Sequence, residues 1–283
     1  MRTISFEAVV DTVKNLCIEA AHKLPEDVII AIEKAYERED NQRARNIFQR
    51  LLENARVAQT EQYPLCQDTG VTIVFVEQGC ETILSPEGSN LFDAINRGVE
   101  RGYREGYLRK SIVYDPIYER KNTQTNTPAI IYHEFVEGDK LKISVMLKGG
   151  GCENRSRFCM LKPSDGVEGV EHFIIETVKN AGADACPPFV VGVGIGGNFE
   201  YSCFLAKKAL LRKLDSCHNE GYYSTFEKRL CERINSLGIG PMGMGGGITA
   251  LAVLIEAAPC HIASLPVAVN IECHSHRHMT EIL

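Results

Sequence analysis

The sequence predicts an α+β fold in which a helical amino-terminal part packs with small β-sheets. Three observations lead to this prediction. Apolar residues recur at helical spacing through the first third of the chain, and strand-like runs follow later, singly and in pairs. No regular strand–helix–strand alternation connects these runs. Since no repeat or linker interrupts the 283 residues, we expect a single domain over residues 1–283.

Three helices are predicted before residue 62. Pro25 followed by Glu26 and Asp27 is typical of the first turn of a helix, here the second. Asp40 or Asn41 can cap the third helix. The first helix is predicted from the apolar stripe Val9, Val10, Val13, Leu16, Cys17, Ala20 and Ala21, and the third from Ala44, Ile47, Phe48, Leu51, Leu52 and Ala55.

Strands and helices are both predicted in the rest of the chain. The segment PLCQDTG, residues 64–70, ends the helical region and precedes a buried strand at 71–76. Two strand-like runs, 129–135 and 141–147, flank a Glu-Gly-Asp turn at 137–139, which suggests a hairpin. Further helices are predicted at 89–106, 166–181, 199–211 and 222–237.

Composition excludes several classes of protein. Hydrophobic residues make up 44% and charged residues 24%, as in globular proteins, and the net charge of −6 argues against a broad nucleic-acid or anionic-membrane surface. No apolar run has transmembrane length and the amino terminus lacks a signal-peptide pattern, so we expect a cytoplasmic protein. The number of cysteines, 11, is odd, and the absence of a secretion signal also disfavours a disulfide framework. No C-x-x-C pair occurs, which removes the common zinc motifs.

The segment GVGIGG, residues 192–197, matches the dinucleotide-binding fingerprint and lies between a strand-like run and a helix. Asp215 even lies about where a ribose-binding acid would be. However, no series of βαβ units surrounds the motif, and Pro187 and Pro188 shorten the preceding strand. We therefore favour a glycine hairpin or close packing of a helix on a strand, and a nucleotide-dependent oxidoreductase stays as a distant alternative.

Two other segments are candidates for ligand binding. KGGGCENRS, residues 148–156, offers backbone N–H groups to a carboxylate or phosphate, and Lys148 and Arg155 favour an anion. Its alternative is a flexible turn. HSHRH, residues 274–278, would place alternate histidines on one face for a metal ion. Its alternative is a solvated tail near the carboxyl terminus.

Cys66, Cys186 and Cys273 share a local pattern. Each lies at the edge of an apolar strand-like run, in a segment rich in Gly, Pro or small residues. Thiolates from three distant loops suit an iron–sulfur cluster better than a zinc finger, and three thiolates leave one iron of a cubane open. Spacing alone does not select these three among the 11 cysteines.

A family resemblance selects them. The resemblance rests on five segments and on their order: PLCQDTG, KGGGCEN, ACPPFVVGVGIGG, LGIGPMGMGG and PVAVNIECH. The chain resembles the α subunit of two-subunit class I fumarate hydratases. It is also similar to the related L-tartrate dehydratases, and both are iron–sulfur hydro-lyases. The resemblance covers essentially the whole chain and implies a [4Fe–4S] cluster held by Cys66, Cys186 and Cys273.

The resemblance also implies a substrate site. Gln67, Asp68, Arg109 and the backbone of Gly150 and Gly151 match substrate contacts of the family, and His261 matches an active-site histidine. Asp68 and His261 are the candidates for proton relay, and Arg109 would clamp a substrate carboxylate. Further cations and the residue proposed as base lie on a second polypeptide, the β subunit.

The implied reaction is the reversible hydration of fumarate to L-malate, a step of the tricarboxylic acid cycle. The implied assembly is an α2β2 heterotetramer with the β subunit. Where fumarase-like members carry a serine after the third glycine, this chain has Cys152, as tartrate dehydratase chains do. L-tartrate dehydration is therefore the first alternative, and a non-catalytic iron–sulfur or scaffolding protein is another.

Overall fold

The computed structural model describes residues 1–283 and confirms a mixed α and β architecture with three small sheets. The chain divides into two compact units. The first unit consists of residues 1–25, 55–150 and 277–283, and the second of residues 26–54 and 151–276. The single domain stays a prediction, and each unit is described by itself. None of the helices is long and apolar enough to cross a membrane.

The helices lie where the sequence predicts them, apart from one further single turn after Gly149. Asn41 caps the third helix, as expected, since its side-chain oxygen accepts the backbone N–H groups of Arg43 and Ala44. All seven residues of the stripe predicted for the first helix are buried. The bounds are α1 Phe6–His22, α2 Glu26–Arg38, α3 Gln42–Glu61, α4 Leu91–Glu105, α5 Gly150–Glu153, α6 Gly166–Ala181, α7 Phe199–Ala209 and α8 Gly221–Asn235.

Ten strands form the three sheets. β1 and β3 make a small parallel pair, and the two larger sheets have the orders β10-β5-β2-β4 and β6-β9-β7-β8. The bounds are β1 Arg2–Ser5, β2 Val71–Gly79, β3 Thr82–Ser85, β4 Ile130–Val136, β5 Leu141–Lys148, β6 Arg157–Leu161, β7 Phe189–Gly197, β8 Ala250–Cys260, β9 Leu265–Glu272 and β10 His278–Ile282.

In the first unit, α1 and α4 share one hydrophobic core with β2 and β5. The predicted hairpin of β4 with β5 is wrong, because β2 lies between them, parallel to β4 and antiparallel to β5. The near-continuous apolar run of β2 suits this central position, where both neighbouring strands and the helices cover it. The turn at 137–139 instead passes over the end of β2, where Gly79 N–H donates to Lys140 O.

The alternative interpretation of HSHRH as a solvated tail is also wrong. His276 is fully buried and Arg277 is 1% exposed. The physical reason is that the chain continues from this segment into β10, which pairs antiparallel with β5 and brings His278 opposite Met146. The segment therefore enters a sheet instead of extending into solvent.

In the second unit, the sheet β6-β9-β7-β8 has a hydrophobic core with α6 and α8 that includes Val191 and Val193 of β7. Glycines occupy alternate positions of β7, and α7 packs on them. A Cβ atom at Gly192 would lie 2.1 Å from Ala206 O, and one at Gly194 would lie 2.0 Å from Ser202 O. The prediction that GVGIGG serves close packing of a helix on a strand is therefore confirmed.

Candidate active site

In the first unit, PLCQDTG forms an irregular loop between α3 and β2, and Asp68 holds it in place. Its Oδ1 accepts the N–H of Gly70 at 3.0 Å, and its Oδ2 accepts the N–H of Gly150 at 2.8 Å. Its main-chain oxygen accepts Arg277 Nη1 at 2.7 Å. Asp68 therefore connects this loop to the start of α5 and to the buried arginine of HSHRH.

A second set of hydrogen bonds connects the loop to Arg109. The Thr69 hydroxyl donates to Arg109 O at 2.7 Å. The buried Tyr103 hydroxyl donates to Thr69 O at 2.8 Å and to Gly70 O at 3.1 Å. Burial raises the pKa of Tyr103, so the hydroxyl remains protonated and can donate. The backbone that carries Arg109 is thus fixed beside the residues that follow Cys66.

Glycine is required at position 70. Its φ is +79°, and an added Cβ would lie 2.6 Å from Lys148 O. The backbone of PLCQDTG therefore runs directly against the end of β5, where the KGGG segment begins. Within the first unit the structure brings together Gln67, Asp68, Arg109 and Gly150, four of the predicted substrate contacts.

The side chains of this group differ in exposure. Gln67 and Arg109 are exposed, and the Arg109 guanidinium has no hydrogen bond or ion pair within the chain. Cys66 is half-buried, and its Sγ lies 3.4 Å from Gln67 Oε1. An exposed guanidinium without a partner in the chain can bind a carboxylate from solvent.

Sequence reasoning missed three residues that build this site. Besides Tyr103 and Arg277, the fully buried Asn126 donates from Nδ2 to Gly70 O at 3.2 Å and accepts Ser111 N–H at 2.7 Å. The metal site predicted at HSHRH rests on its histidines, whereas the arginine of this motif makes the contact with Asp68. No sequence signal marks Tyr103 or Asn126, since each side chain is hydrogen-bonded to backbone atoms of residues that are far away in the sequence.

In the second unit, the segments of Cys186 and Cys273 lie side by side. Cys186 has a left-handed backbone with φ of 56° and ends the short 3-10 turn 182–185. Its main-chain oxygen accepts His274 N–H at 3.4 Å, and His274 Nδ1 lies 3.1 Å from the same oxygen. Val190 of β7 pairs with Glu272 of β9, so both cysteines lie at one end of the sheet. Cys66 belongs to the first unit, and the set of three ligands therefore stays a prediction.

All 11 cysteines are free of disulfides. Burial raises the pKa of the Cys17 thiol to about 12 and that of Cys231 to about 11. Both thiols therefore remain protonated at neutral pH, and as thiols they are poor metal ligands.

The structure does not bring His261 to these cysteines. His261 lies on the exposed turn between β8 and β9, where its Nδ1 accepts Ala263 N–H. Cys273 follows the other end of β9, and this strand of eight residues spans roughly 26 Å. Within one chain, His261 and Cys273 are therefore at opposite ends of the second sheet.

The middle of the KGGGCENRS segment, Gly150–Glu153, forms the helical turn α5. Gly150 begins α5, and Gly151 on its first turn is exposed. Arg155, predicted to favour an anion, forms an ion pair with Asp184, and Lys148 is only 1% exposed. The backbone glycines, more than these two cations, are therefore the part of the segment open to a ligand.

The comparison with known families fits this arrangement. The model of the fumarate hydratase (Fumerase) family matches residues 10–281. The chain belongs to this family. It is accordingly a hydro-lyase of the fumarate hydratase family, and its glycine-rich β7 is a packing feature of that enzyme.

Similar proteins match over nearly the whole chain. A protein of Methanocaldococcus jannaschii, provisionally named L(+)-tartrate dehydratase subunit alpha, is 46% identical over 271 residues, which is 94% of each chain. The L(+)-tartrate dehydratase subunit alpha of Escherichia coli strain K12 is 33% identical over 272 residues, or 95% of this chain and 89% of the relative. The protein of that name from Shigella sonnei matches to the same extent.

Proposed function

We propose that this chain is the α subunit of an iron–sulfur hydro-lyase that interconverts fumarate and L-malate, with a [4Fe–4S] cluster held by Cys66, Cys186 and Cys273. One observation carries the proposal beyond family membership. Asp68 accepts the N–H of Gly150, and the Thr69 hydroxyl donates to the carbonyl of Arg109; together these hydrogen bonds fix Gly150 and the backbone of Arg109 next to the loop that contains Cys66. Substrate-binding groups beside a cluster ligand are what a hydro-lyase of this type requires.

The chemistry of the donors fits the cluster. None of the three cysteines is in a disulfide; Cys66 and Cys186 are half-buried and Cys273 is 8% exposed, and thiolates are the usual ligands of iron–sulfur clusters. When bound, a cluster with three protein thiolates supplies an iron without a protein ligand, a Lewis acid for the departing hydroxyl group. The remaining steps depend on protein side chains.

Arg109 is proposed to bind a carboxylate of the substrate through its planar guanidinium, with the Gln67 amide and the Gly151 N–H as further donors. Because the Thr69 hydroxyl fixes the carbonyl of Arg109, the clamp starts from a rigid backbone. Preorganisation of this kind reduces the loss of conformational entropy when substrate binds.

Asp68 is proposed to relay a proton as well as to position the loop. Each carboxylate oxygen accepts one backbone N–H and keeps a further lone pair for a proton. Oδ2 also contacts the glycine-rich turn, so transfer at this atom would occur beside the backbone that we propose to bind substrate.

His261 can serve this site only from a second copy of the chain, given its separation of roughly 26 Å from Cys273 along β9. The predicted α2β2 heterotetramer would supply such a copy. Co-expression of His261→Ala and Cys273→Ser chains with β tests this. Random pairing makes half of the pairs mixed, and in each mixed pair one of the two sites combines an intact Cys273 from one chain with an intact His261 from the other. Co-expression should therefore recover about one quarter of normal activity. No recovery would remove His261 from the proposal.

L-tartrate dehydration is the second candidate. It is favoured by the names of the relatives that match this chain at 46% and 33% identity, and by Cys152 after the glycines. The substrates of the two dehydration reactions, L-malate and L-tartrate, differ by one hydroxyl group. Anaerobic assays of the complete enzyme on L-malate and L-tartrate separate the candidates, and we expect the higher kcat/KM for L-malate.

A separate β subunit is proposed as partner, since the relatives named above are alpha subunits. Within nine residues of Arg109 in the sequence, the chain exposes large apolar side chains that a partner would cover: Tyr107, Tyr114, Ile117 and Tyr118. We also propose a cytoplasmic location and a place in the tricarboxylic acid cycle, since the substrates are metabolic four-carbon diacids and the reducing cytosol keeps thiols free.

The proposed ligand set can be tested by anaerobic reconstitution. Changing Cys66, Cys186 or Cys273 to Ser should abolish stable loading, because an alkoxide is a poor substitute for a thiolate on iron. The matched changes at Cys17 and Cys231 should leave the cluster absorbance and iron content nearly intact. Equal loss in both groups would mean that the ligands have been confused with core cysteines.

A further inference from the structure

A second group of metal donors lies in the second unit. It consists of Cys152 on α5, Glu272 at the end of β9 and Cys273 next in the chain, and the three donor atoms all lie within 4.8 Å of one another. All three residues are buried, and none is more than 8% exposed. Two of them, Cys152 and Glu272, do not belong to the predicted cluster ligands.

The spacing of these atoms suits one metal ion better than a cubane. In a tetrahedral site with metal–sulfur bonds of about 2.3 Å and metal–oxygen bonds of about 2.1 Å, neighbouring ligand atoms are about 3.5–3.8 Å apart. Cys273 Sγ is 3.9 Å from Glu272 Oε1, close to such an edge. Thiolates on different irons of a cubane lie farther apart, because each extends outward from its own corner.

Local hydrogen bonds already orient the group. The Cys273 N–H donates to Glu272 Oε1 at 3.2 Å, which turns the carboxylate towards the neighbouring thiol. The Cys152 thiol donates to Ala185 O at 3.5 Å, which connects α5 to the segment just before Cys186. The limit of 4.8 Å between the donor atoms exceeds a tetrahedral edge by only about 1 Å, so the three atoms are already close to the spacing that one ion requires.

We propose that the cluster-free chain binds one soft or borderline divalent cation, such as Zn²⁺ or Fe²⁺, through Cys152, Glu272 and Cys273. Two thiolates and a carboxylate suit these ions and leave a fourth position for water. A divalent charge also offsets the cost of burying three anionic groups. Because Cys273 would be a ligand of both, the single ion and the cluster exclude each other. The inference rests on the proposed function and concerns the chain before its cluster is assembled.

The test is an anaerobic titration of the full-length, cluster-free chain with Co²⁺, whose tetrahedral thiolate complexes have characteristic sulfur-to-metal charge-transfer bands. We expect one Co²⁺ per chain, displaced by Zn²⁺. Cys152→Ser should weaken Co²⁺ binding at least about tenfold and reduce the charge-transfer intensity. Glu272→Gln, which keeps the shape and removes the charge, should weaken binding while both thiolate bands remain.

Two controls separate this site from the cluster. Cys186→Ser should prevent cluster loading but leave Co²⁺ affinity and spectrum unchanged, since Cys186 is not a ligand of the single ion. Cys231→Ser, in the same unit, should change neither. Zn²⁺ bound first should block cluster assembly until a chelator removes it, measured by cluster absorbance.

Unchanged Co²⁺ binding in folded Cys152→Ser and Glu272→Gln chains would overturn the proposal. So would loss of the ion in Cys186→Ser, because the ion would then occupy the predicted cluster ligands. Circular dichroism identifies a variant that fails to fold, and Cys152→Ala then replaces Cys152→Ser. If the wild-type chain binds Co²⁺ as expected but never loads a cluster, the proposed function fails while the single-ion site stands.

Discussion

Replacing Asp68 with Asn tests whether this carboxylate organises the candidate site. The two oxygens accept N–H groups from Gly70 at 3.0 Å and Gly150 at 2.8 Å. An amide has one oxygen, so whichever way the Asn turns, its NH₂ group faces one of these N–H donors. The variant therefore loses at least one hydrogen bond to a charged acceptor, a contribution of about 1.5–3 kcal/mol.

Hydrogen–deuterium exchange of the folded chain measures this loss locally. Since each 1.4 kcal/mol is a factor of ten, exchange in peptides that contain Gly70 or Gly150 should accelerate roughly 10- to 150-fold. Peptides of α6 in the second unit should be unaffected. Gln67→Ala is the matched control in the same loop, because the exposed Gln67 side chain bonds neither amide. Unchanged protection in Asp68→Asn would refute the positioning role, and an effect on KM alone would refute the proton relay.

Three further predictions follow from other parts of the chain. Arg109→Lys should raise KM more than it lowers kcat, because the charge remains but the bidentate fork is lost; equal effects on both in steady-state kinetics would contradict this. Gly194→Ala should destabilise the chain by about 1–3 kcal/mol or more in denaturant unfolding, since the new Cβ would lie 2.0 Å from Ser202 O, whereas Gly221→Ala, with no atom within 4 Å, should be close to neutral. At pH 9 iodoacetamide should modify the exposed Cys80 but not Cys17, because a pKa of about 12 leaves only about a thousandth of the Cys17 side chains as thiolate. If mass spectrometry showed equal modification of both cysteines, α1 would not be packed as described.

Helices could be predicted from the sequence because their signals are local. The period of apolar residues and a cap such as Asn41 are written within a few turns of the chain, and α6 begins and ends where its pattern predicts. The glycines of β7 were also interpretable, since no series of βαβ units accompanied GVGIGG. Their partner, α7, follows directly in the chain, so the packing that requires Gly192 and Gly194 is itself nearly local.

Strand pairing was not predictable in the same way. A turn at 137–139 between two strand-like runs favours a hairpin. The turn carries no information about β2, which lies some sixty residues earlier in the chain and takes the position between β4 and β5 in the sheet. The exposure of HSHRH was wrong for a related reason. A position near the end of the chain suggests solvent, yet the pairing of β10 with β5 determines that His276 and Arg277 are buried.

Part of the candidate site could be predicted because motif identity carries over residue by residue. The segments of Cys186 and Cys273 prove to be adjacent, since His274 contacts the main-chain oxygen of Cys186, and Asp68 and Gly150 are hydrogen-bonded. Supporting residues could not be found in this way, since Tyr103 and Asn126 act on backbone atoms whose positions only the fold determines. The same holds for His261, whose twelve-residue separation from Cys273 gives no sign that an extended strand lies between them.

We propose that this chain holds the cluster and part of the substrate site of a hydro-lyase, and that a β subunit completes the site. The most direct measurement is an anaerobic assay of L-malate dehydration by the purified chain after cluster loading, before and after addition of the β subunit. We expect no turnover by the chain alone, turnover with β, and loss of that turnover in air until ferrous iron, thiol and sulfide are supplied. Substantial turnover without β, or full activity after prolonged aeration and chelation, would contradict it.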